Sequence, residues 1–245
     1  MANVIKLRKG LDVNLKGKAA KEEFQVKKPA VYALVPDDFT GMKPKVVVKE
    51  NDVVKVGDSL FVDKNHPEIK FVSPVSGRVT MVERGDRRKV LSVRVEADAE
   101  QQYVDFGKKN VGQMTAQEVK DLLLESGLFG FFRQRPYDVT ANPSDTPKAI
   151  FVSAFNSMPL AADFEYVLRG READFQAGLD ALAKMAKTYL GVSSKQTATA
   201  LTAAKNVEIN FFDGPAPAGN VGVQINHISP INKGEVVWTL GAEEV

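Results

Sequence analysis

The sequence predicts a two-part α+β multidomain chain: a small all-β domain of barrel or sandwich type, then an α/β domain with a mainly parallel sheet. Three observations predict it. Up to about residue 100 the chain is a succession of short valine-rich runs, punctuated by Gly, Pro, Asn and Asp and without a helical period. After about residue 112, helical and strand-like patterns alternate. Between them lies "EADAEQQYVDFGKKNVG", a polar, acidic stretch that reads as a linker or hinge. The expected division is 1–100, with an N-terminal arm over 1–25, and 101–245, a length that suits two ordinary domains.

In the first part the strand-like runs are "AVYALV", "KVVV", "DSLFV", "IKFV", "GRVTMV" and "KVLSVRVEA". Short strands at close spacing with glycine turns fit a small barrel or sandwich. Residues 54–79, "VKVGDSLFVDKNHPEIKFVSPVSGRV", resemble a biotinyl- or lipoyl-carrier module, a barrel-sandwich hybrid whose modified lysine sits at a hairpin tip. Counting back from Pro74 by the spacing such modules use lands on His66, not on a lysine. Lys64 is out of register, and Pro67 alters the turn. The methionines that flank a biotinylated lysine and the "TDKA" of lipoyl domains are both absent. The expectation is an unmodified barrel-sandwich hybrid with no covalent arm and with His66 on an exposed loop.

The second part opens with "MTAQEVKDLLLESG", a complete helix signal. Thr115 is the N-cap, Glu118 completes a capping box, Val119, Leu122 and Leu123 share a face, and Gly127 closes the end. "KAIFVSAF" reads as a buried strand. "READFQAGLDALAKMAK" is an amphipathic helix through Phe175, Leu179, Leu182 and Met185. "TYLGV" is a strand, "SKQTATALTAAKN" a helix and "VEINFFDG" a strand. This order is Rossmann-like: a mainly parallel sheet with covering helices.

Composition removes several function classes. The net charge is +2 and the basic residues are scattered, so no nucleic-acid partner is expected. There is no cysteine, which excludes thiolate metal sites, iron–sulfur clusters and cysteine nucleophiles within these residues. The two histidines, His66 and His227, cannot form a multi-histidine metal site by themselves. No apolar run has the roughly 20 residues of a membrane span, and the N-terminus lacks a signal-peptide h-region. A cytoplasmic location without a membrane segment is expected.

Three stretches are able to carry chemistry. "ESGLFGFFRQRPYD" sets Phe129, Phe131 and Phe132 before Arg133 and Arg135. It reads either as a hydrophobic loop under the sheet with solvated arginines, or as an aromatic pocket mouth with a cationic rim. "FDGPAPAGNVGVQINHISP" follows a predicted strand, where open α/β sheets bind ligands, so Gly219, Asn220 and Gly222 are candidate contacts beside a plain turn. His227 lies in an alternating run and is expected in or beside a strand. In "FNSMPLAADFEY", Asn156 and Asp163 either touch ligand or cap.

Taken in order, "SPVSGRV", "LLLESGLFGFFRQRPYD", "AIFVSAFNSMPLAADFEYVL", "GPAPAGNVGVQINHI" and "VVWTLG" resemble the A subunit of Na+-translocating NADH:quinone reductases over nearly the whole chain. The resemblance implies a cytoplasmic protein, peripheral on the inner membrane, within a complex that passes electrons from NADH to ubiquinone and pumps Na+. Its partners would be the other subunits. The resemblance also implies that this member of the complex binds no redox cofactor of its own and is linked to the quinone step. Quinone would then contact Phe129, Phe131, Phe132 and Arg133, with Tyr137 nearby, the rings stacking and the arginine steadying charge. The wider superfamily, which includes the C subunit of the Rnf complex and the NADH-binding flavoprotein subunit of complex I, holds FMN and NADH on a glycine-rich loop after "ESGL". Phenylalanines occupy that place here. Two other readings stand beside this one: a flavin- or NADH-binding oxidoreductase domain, and a scaffold without ligand. Members of the family continue past "WTLG", so the chain is expected to cover the N-terminal two domains.

Overall fold

The computed structural model describes residues 4–17, 20–161 and 163–245. The first strand, β1 (Val4–Lys6), does not join the β domain. It runs parallel along Glu208–Asp213, at the edge of the large sheet of the second domain, with Val4 opposite Phe211. The arm expected with the first domain is thus bound along the second, where Leu7 N and Leu11 N also donate to Asp213 O and Ala216 O. Its local sequence gives no sign of this, because a three-residue strand is specified by its distant partner.

The first domain contains β2 (Val31–Leu34), β3 (Pro44–Val46), β4 (Val53–Val54), β5 (Ser59–Asp63), β6 (Lys70–Val72), β7 (Gly77–Arg84) and β8 (Val90–Ala97). They form two antiparallel sheets, β2-β8-β7-β4 and β3-β5-β6. Leu60, Phe61, Ile69, Phe71, Val79, Val93 and Val95 are buried; Val93 and Val95 alternate toward the core, while adjacent Leu60 and Phe61 are both buried where the β5–β6 register shifts. At the hairpin tip between β5 and β6, the buried Asp63 carboxylate accepts hydrogen bonds from Asn65 N (3.0 Å) and Lys43 N (3.2 Å). His66 sits in that tip, half-buried itself, on a loop exposed at Lys64, Asn65, Pro67 and Glu68 as expected.

The expected hinge is partly structured. Gln101 Oε1 accepts from Ser76 N (2.8 Å), and Gln102 N donates to Ser76 Oγ (2.9 Å). Val56 N donates to Gln102 O, and Val104 N donates back to Val56 O. The segment is thus zipped to the first domain as far as Val104.

The second domain adds α1 (Ala116–Glu125), β9 (Arg133–Arg135), β10 (Val139–Thr140), β11 (Ile150–Ala154), α2 (Phe164–Val167), α3 (Glu172–Met185), β12 (Thr188–Ser193), α4 (Thr199–Thr202), β13 (Glu208–Asp213), α5 (Val221–Ile228) and β14 (Val237–Gly241). The sheet order is β1-β13-β12-β11-β14-β9-β10. The first five of these strands are parallel, while β9 and β10 close the far edge antiparallel. The capping box on α1 is present, with Thr115 Oγ1 accepting from Glu118 N and Glu118 Oε2 accepting from Thr115 N (2.7 Å). On α3, Phe175, Leu179 and Leu182 are buried.

Two elements differ from expectation. The helix foreseen over 194–206 shrinks to α4, because threonines 197, 199 and 202 are weak helix formers and Ala198 supplies no side-chain cap. The alternating run "VGVQINHI" is helix α5, so His227 lies on a helix and not in or beside a strand. Asn220 starts it by accepting from Gly222 N through Oδ1 (2.8 Å). Val221, Ile225 and Ile228 then pack on the cluster of Phe151 and Tyr189 at helical spacing.

The domains meet at an aromatic seam. Phe61 stacks on Phe71 (5.1 Å), Phe71 packs on Phe39 (4.4 Å), and Phe39 meets Phe131 of the second domain edge-on (6.1 Å). Gly127, at φ 79°, has the left-handed conformation its place after α1 requires, and a Cβ there would sit 2.5 Å from Val72 Cγ1. Thr140 N donates to Thr40 O (2.8 Å) across the same seam. Truncating Phe71 to Ala is expected to cost about 3–5 kcal/mol in urea unfolding. It should also split one transition into two, because it opens the seam as well as the first core. An unchanged single transition would contradict that role.

Candidate functional site

Strand order locates the crevice. From β11 the chain winds outward through β12 to β13, then α5 carries it back so that β14 is laid on the other side of β11. Neighbouring parallel strands whose connections leave in opposite directions open a gap at their carboxyl ends, where ligands of open α/β sheets sit. A cleft of about 440 Å³ lies there, walled by the segments after β11 and β14 and by the start of α5.

Alternation along β9 turns Arg133 and Arg135 to one face and Gln134 to the other. Both arginines line the cleft. The Asp138 carboxylate lies 3.3 Å from Arg135 Nε and 3.5 Å from Arg133 Nε. Arg135 Nε is buried and meets Asp138 as an ion pair without a well-aligned hydrogen bond among the described residues. On the opposite wall Ser157 Oγ accepts from Gly219 N (3.0 Å). A Cβ on Gly219 would lie 2.3 Å from Ser157 N, so only glycine allows the two loops to close.

The third wall is acidic. Glu244 Oε2 accepts from Gly241 N (2.6 Å), and Glu243 stands beside it. Burial pushes the Glu244 carboxyl up and nearby Glu243 adds to the rise, while the Gly241 N–H and Arg133 pull the other way. With Arg133 and Arg135 facing Asp138, Glu243 and Glu244, the cleft is close to charge-balanced and rich in hydrogen-bonding groups.

The structure places the sequence candidates unevenly. Asn156, Gly219, Asn220 and Arg133, far apart in the chain, line this one cleft. Gly222 is in the first turn of α5, with Arg135 Nη1 3.8 Å from where its Cβ would be. Phe129 and Phe132 are core residues, stacked on each other at 5.2 Å and edge-on to Trp238 at 5.3 and 5.7 Å. Neither has a face free for a ligand ring. Phe131 is 43 % exposed but turned to Phe39, and Tyr137 is 84 % exposed outside the cleft. Sequence reasoning gave no weight to Asp138, Ser157, Glu243 and Glu244. Strand order alone brings them together, so no local signal marks them. Among the described residues no cluster of His, Asp and Glu is able to hold a metal ion, and no helix is long and apolar enough to cross a membrane.

The N-terminal strap passes beside the cleft and is pinned by Lys21 Nζ to Asp163 Oδ2 (2.7 Å). The lysine holds the Asp163 carboxyl below its ordinary range. The pin is therefore complete above the usual aspartate range and is lost as pH falls through the lowered value. Lys21→Met should lower the protection of the amides of residues 13–17, measured against the intrinsic exchange rate at each pH, and remove the further loss of protection that acidification brings. Equal exchange in both proteins would contradict the pin.

Comparison with known proteins gives two consecutive family matches: the NqrA N-terminal barrel-sandwich hybrid domain over residues 5–98 and the NqrA second alpha/beta domain over residues 114–245. Similar curated proteins, each named as the A subunit of a Na(+)-translocating NADH-quinone reductase, occur in Pseudomonas aeruginosa strain UCBPP-PA14 (34 % identical over 245 residues) and Saccharophagus degradans (36 % over 245 residues). A third, from Yersinia pseudotuberculosis strain IP 31758, is 35 % identical over 248 residues. Each match takes in 99 % of this chain and 55 % of the relative, so the chain spans about half the length of the curated proteins it matches.

Proposed function

Since the chain belongs to the NqrA family of Na+-translocating NADH-quinone reductase subunits, we propose that it forms the N-terminal part of such a protein, serving the quinone step without a redox cofactor of its own. Its partners are the other subunits, and it sits on the cytoplasmic side, attached through them. The complex oxidises NADH, reduces quinone and moves Na+. This chain contributes two domains that meet at the aromatic seam and the cleft at the β11–β14 crevice.

The observation that carries the reading is the pairing of a sealed aromatic turn with a charge-balanced cleft. A glycine-rich loop holds a nucleotide by exposing backbone N–H groups to phosphate. At 128–132 the side chains of Phe129 and Phe132 are instead buried against Trp238, and Gly130 abuts Phe71. Phosphates also favour net positive charge, whereas Arg133 and Arg135 are here offset by three carboxylates. A quinone ring is neutral and carries two acceptor oxygens. It suits a cleft walled by Arg133 and Arg135, whose guanidinium groups steady negative charge that develops on the oxygen during reduction.

In calorimetric titration of this chain, the tail-less ubiquinone ring is expected to bind saturably. Arg135→Gln should weaken it by about tenfold to a hundredfold, the loss of a charged hydrogen bond of about 1.5–3 kcal/mol. Its near-ultraviolet Trp238 signal should stay unchanged. FMN and NADH should give no binding heat. Saturable FMN binding, or a ring affinity indifferent to Arg135→Gln, would contradict the reading.

A further inference from the structure

We propose that the groove leading out of the cleft, between the N-terminal strap and the segment after β11, receives the isoprenoid tail of the quinone; this rests on the quinone reading of the cleft. The groove is about 840 Å³ and joins the cleft at Asn156 and Met158, which line both. That volume falls within the roughly 300–1,000 Å³ of small-molecule sites. Val13 and Leu15 of the strap form one side, and Met158, Pro159 and Leu160 form the other.

These side chains are apolar yet left in water. Val13 is 61 % exposed, Leu15 51 %, Met158 62 % and Leu160 75 %. Single exposed apolar residues need no explanation, but a contiguous set leading from a ligand cleft marks a binding surface. Leu160 sharpens the point. It holds φ 58°, a left-handed conformation unfavourable for a leucine, and presents its side chain outward instead of into the core. The lining mixes this apolar set with polar side chains, of which Lys21 and Asp163 are spent on each other. The exposed apolar side chains offer a tail hydrocarbon contact along the groove. Continuity with the cleft chooses the occupant: a tailed quinone is one molecule with a ring for the first and a chain for the second.

The test compares the tail-less ubiquinone ring with the same ring bearing two isoprene units, by calorimetry on three proteins. On the unaltered chain the tailed ligand should bind at least about tenfold more tightly, as expected when several methylene-sized groups leave water. In the double variant Leu15→Ser, Leu160→Ser, whose residues line the groove and not the cleft, that advantage should fall to about twofold while ring affinity holds. In Val53→Ser, which alters a comparably exposed apolar residue of the first domain, the advantage should persist. Equal affinities for the two ligands overturn the inference, as does a double variant that weakens both alike. Loss of the advantage in Val53→Ser would mean unspecific adhesion and would overturn it too. If the ring itself fails to bind, the quinone reading of the cleft falls and takes this inference with it; if the ring binds and the tail adds nothing, only the groove assignment falls.

Discussion

Phe71 is the residue on which both halves of the molecule close. It stacks on Phe61 inside the barrel-sandwich hybrid, packs on Phe39 at the domain margin, and abuts Gly130 of the α/β domain. Each aromatic pair contributes about 0.5–1.5 kcal/mol beyond simple burial, and the chain of rings continues through Phe39 to Phe131. The turn after α1 is therefore committed to packing from both sides. Phe129 and Phe132 point into the α/β core against Trp238, while Phe131 and Gly130 face the β domain.

The open cleft lies elsewhere, at the β11–β14 crevice. The crevice is built from backbone direction: two parallel strands whose connections depart to opposite sides, and α5 brought across between them. The antiparallel β9, paired to β14, then delivers Arg133 and Arg135 to its wall while Gln134, on the other face, accepts a hydrogen bond from Trp238 Nε1 (3.3 Å). The seam and the cleft are linked through this strand. Phe132 anchors its start in the core, and Arg133 and Arg135 follow on the cleft side. Rigid placement of both arginines follows from the packing of the aromatic turn, which is how a structural seam supports a site it does not touch.

What was legible in the sequence was local or periodic. The capping box at Thr115 and Glu118, the left-handed Gly127 and the buried face of α3 each rest on residues within a few positions of one another, and each is found as read. The missing lysine at His66 was equally plain. Less legible were features fixed by distant pairing. β1 is three residues whose partner lies about two hundred positions away, and nothing in "VIK" marks it. The run at 221–228 alternates and has helical spacing at once, and the Asn220 cap decides between them. The aromatic turn offered two readings because three phenylalanines have no period. Only the facing Phe39 and Trp238, from distant segments, show which space they fill. Asp138 and Glu244 entered the site through strand order, which a single sequence does not display.

The most direct test of where the ligand chemistry resides is an amide chemical-shift map of this chain titrated with the tail-less ubiquinone ring. Saturable shifts at Asn156, Gly219 and Gly241, with Leu128–Phe131 unmoved, are the predicted result. Shifts concentrated at Leu128–Phe131, with the crevice amides silent, would contradict the account.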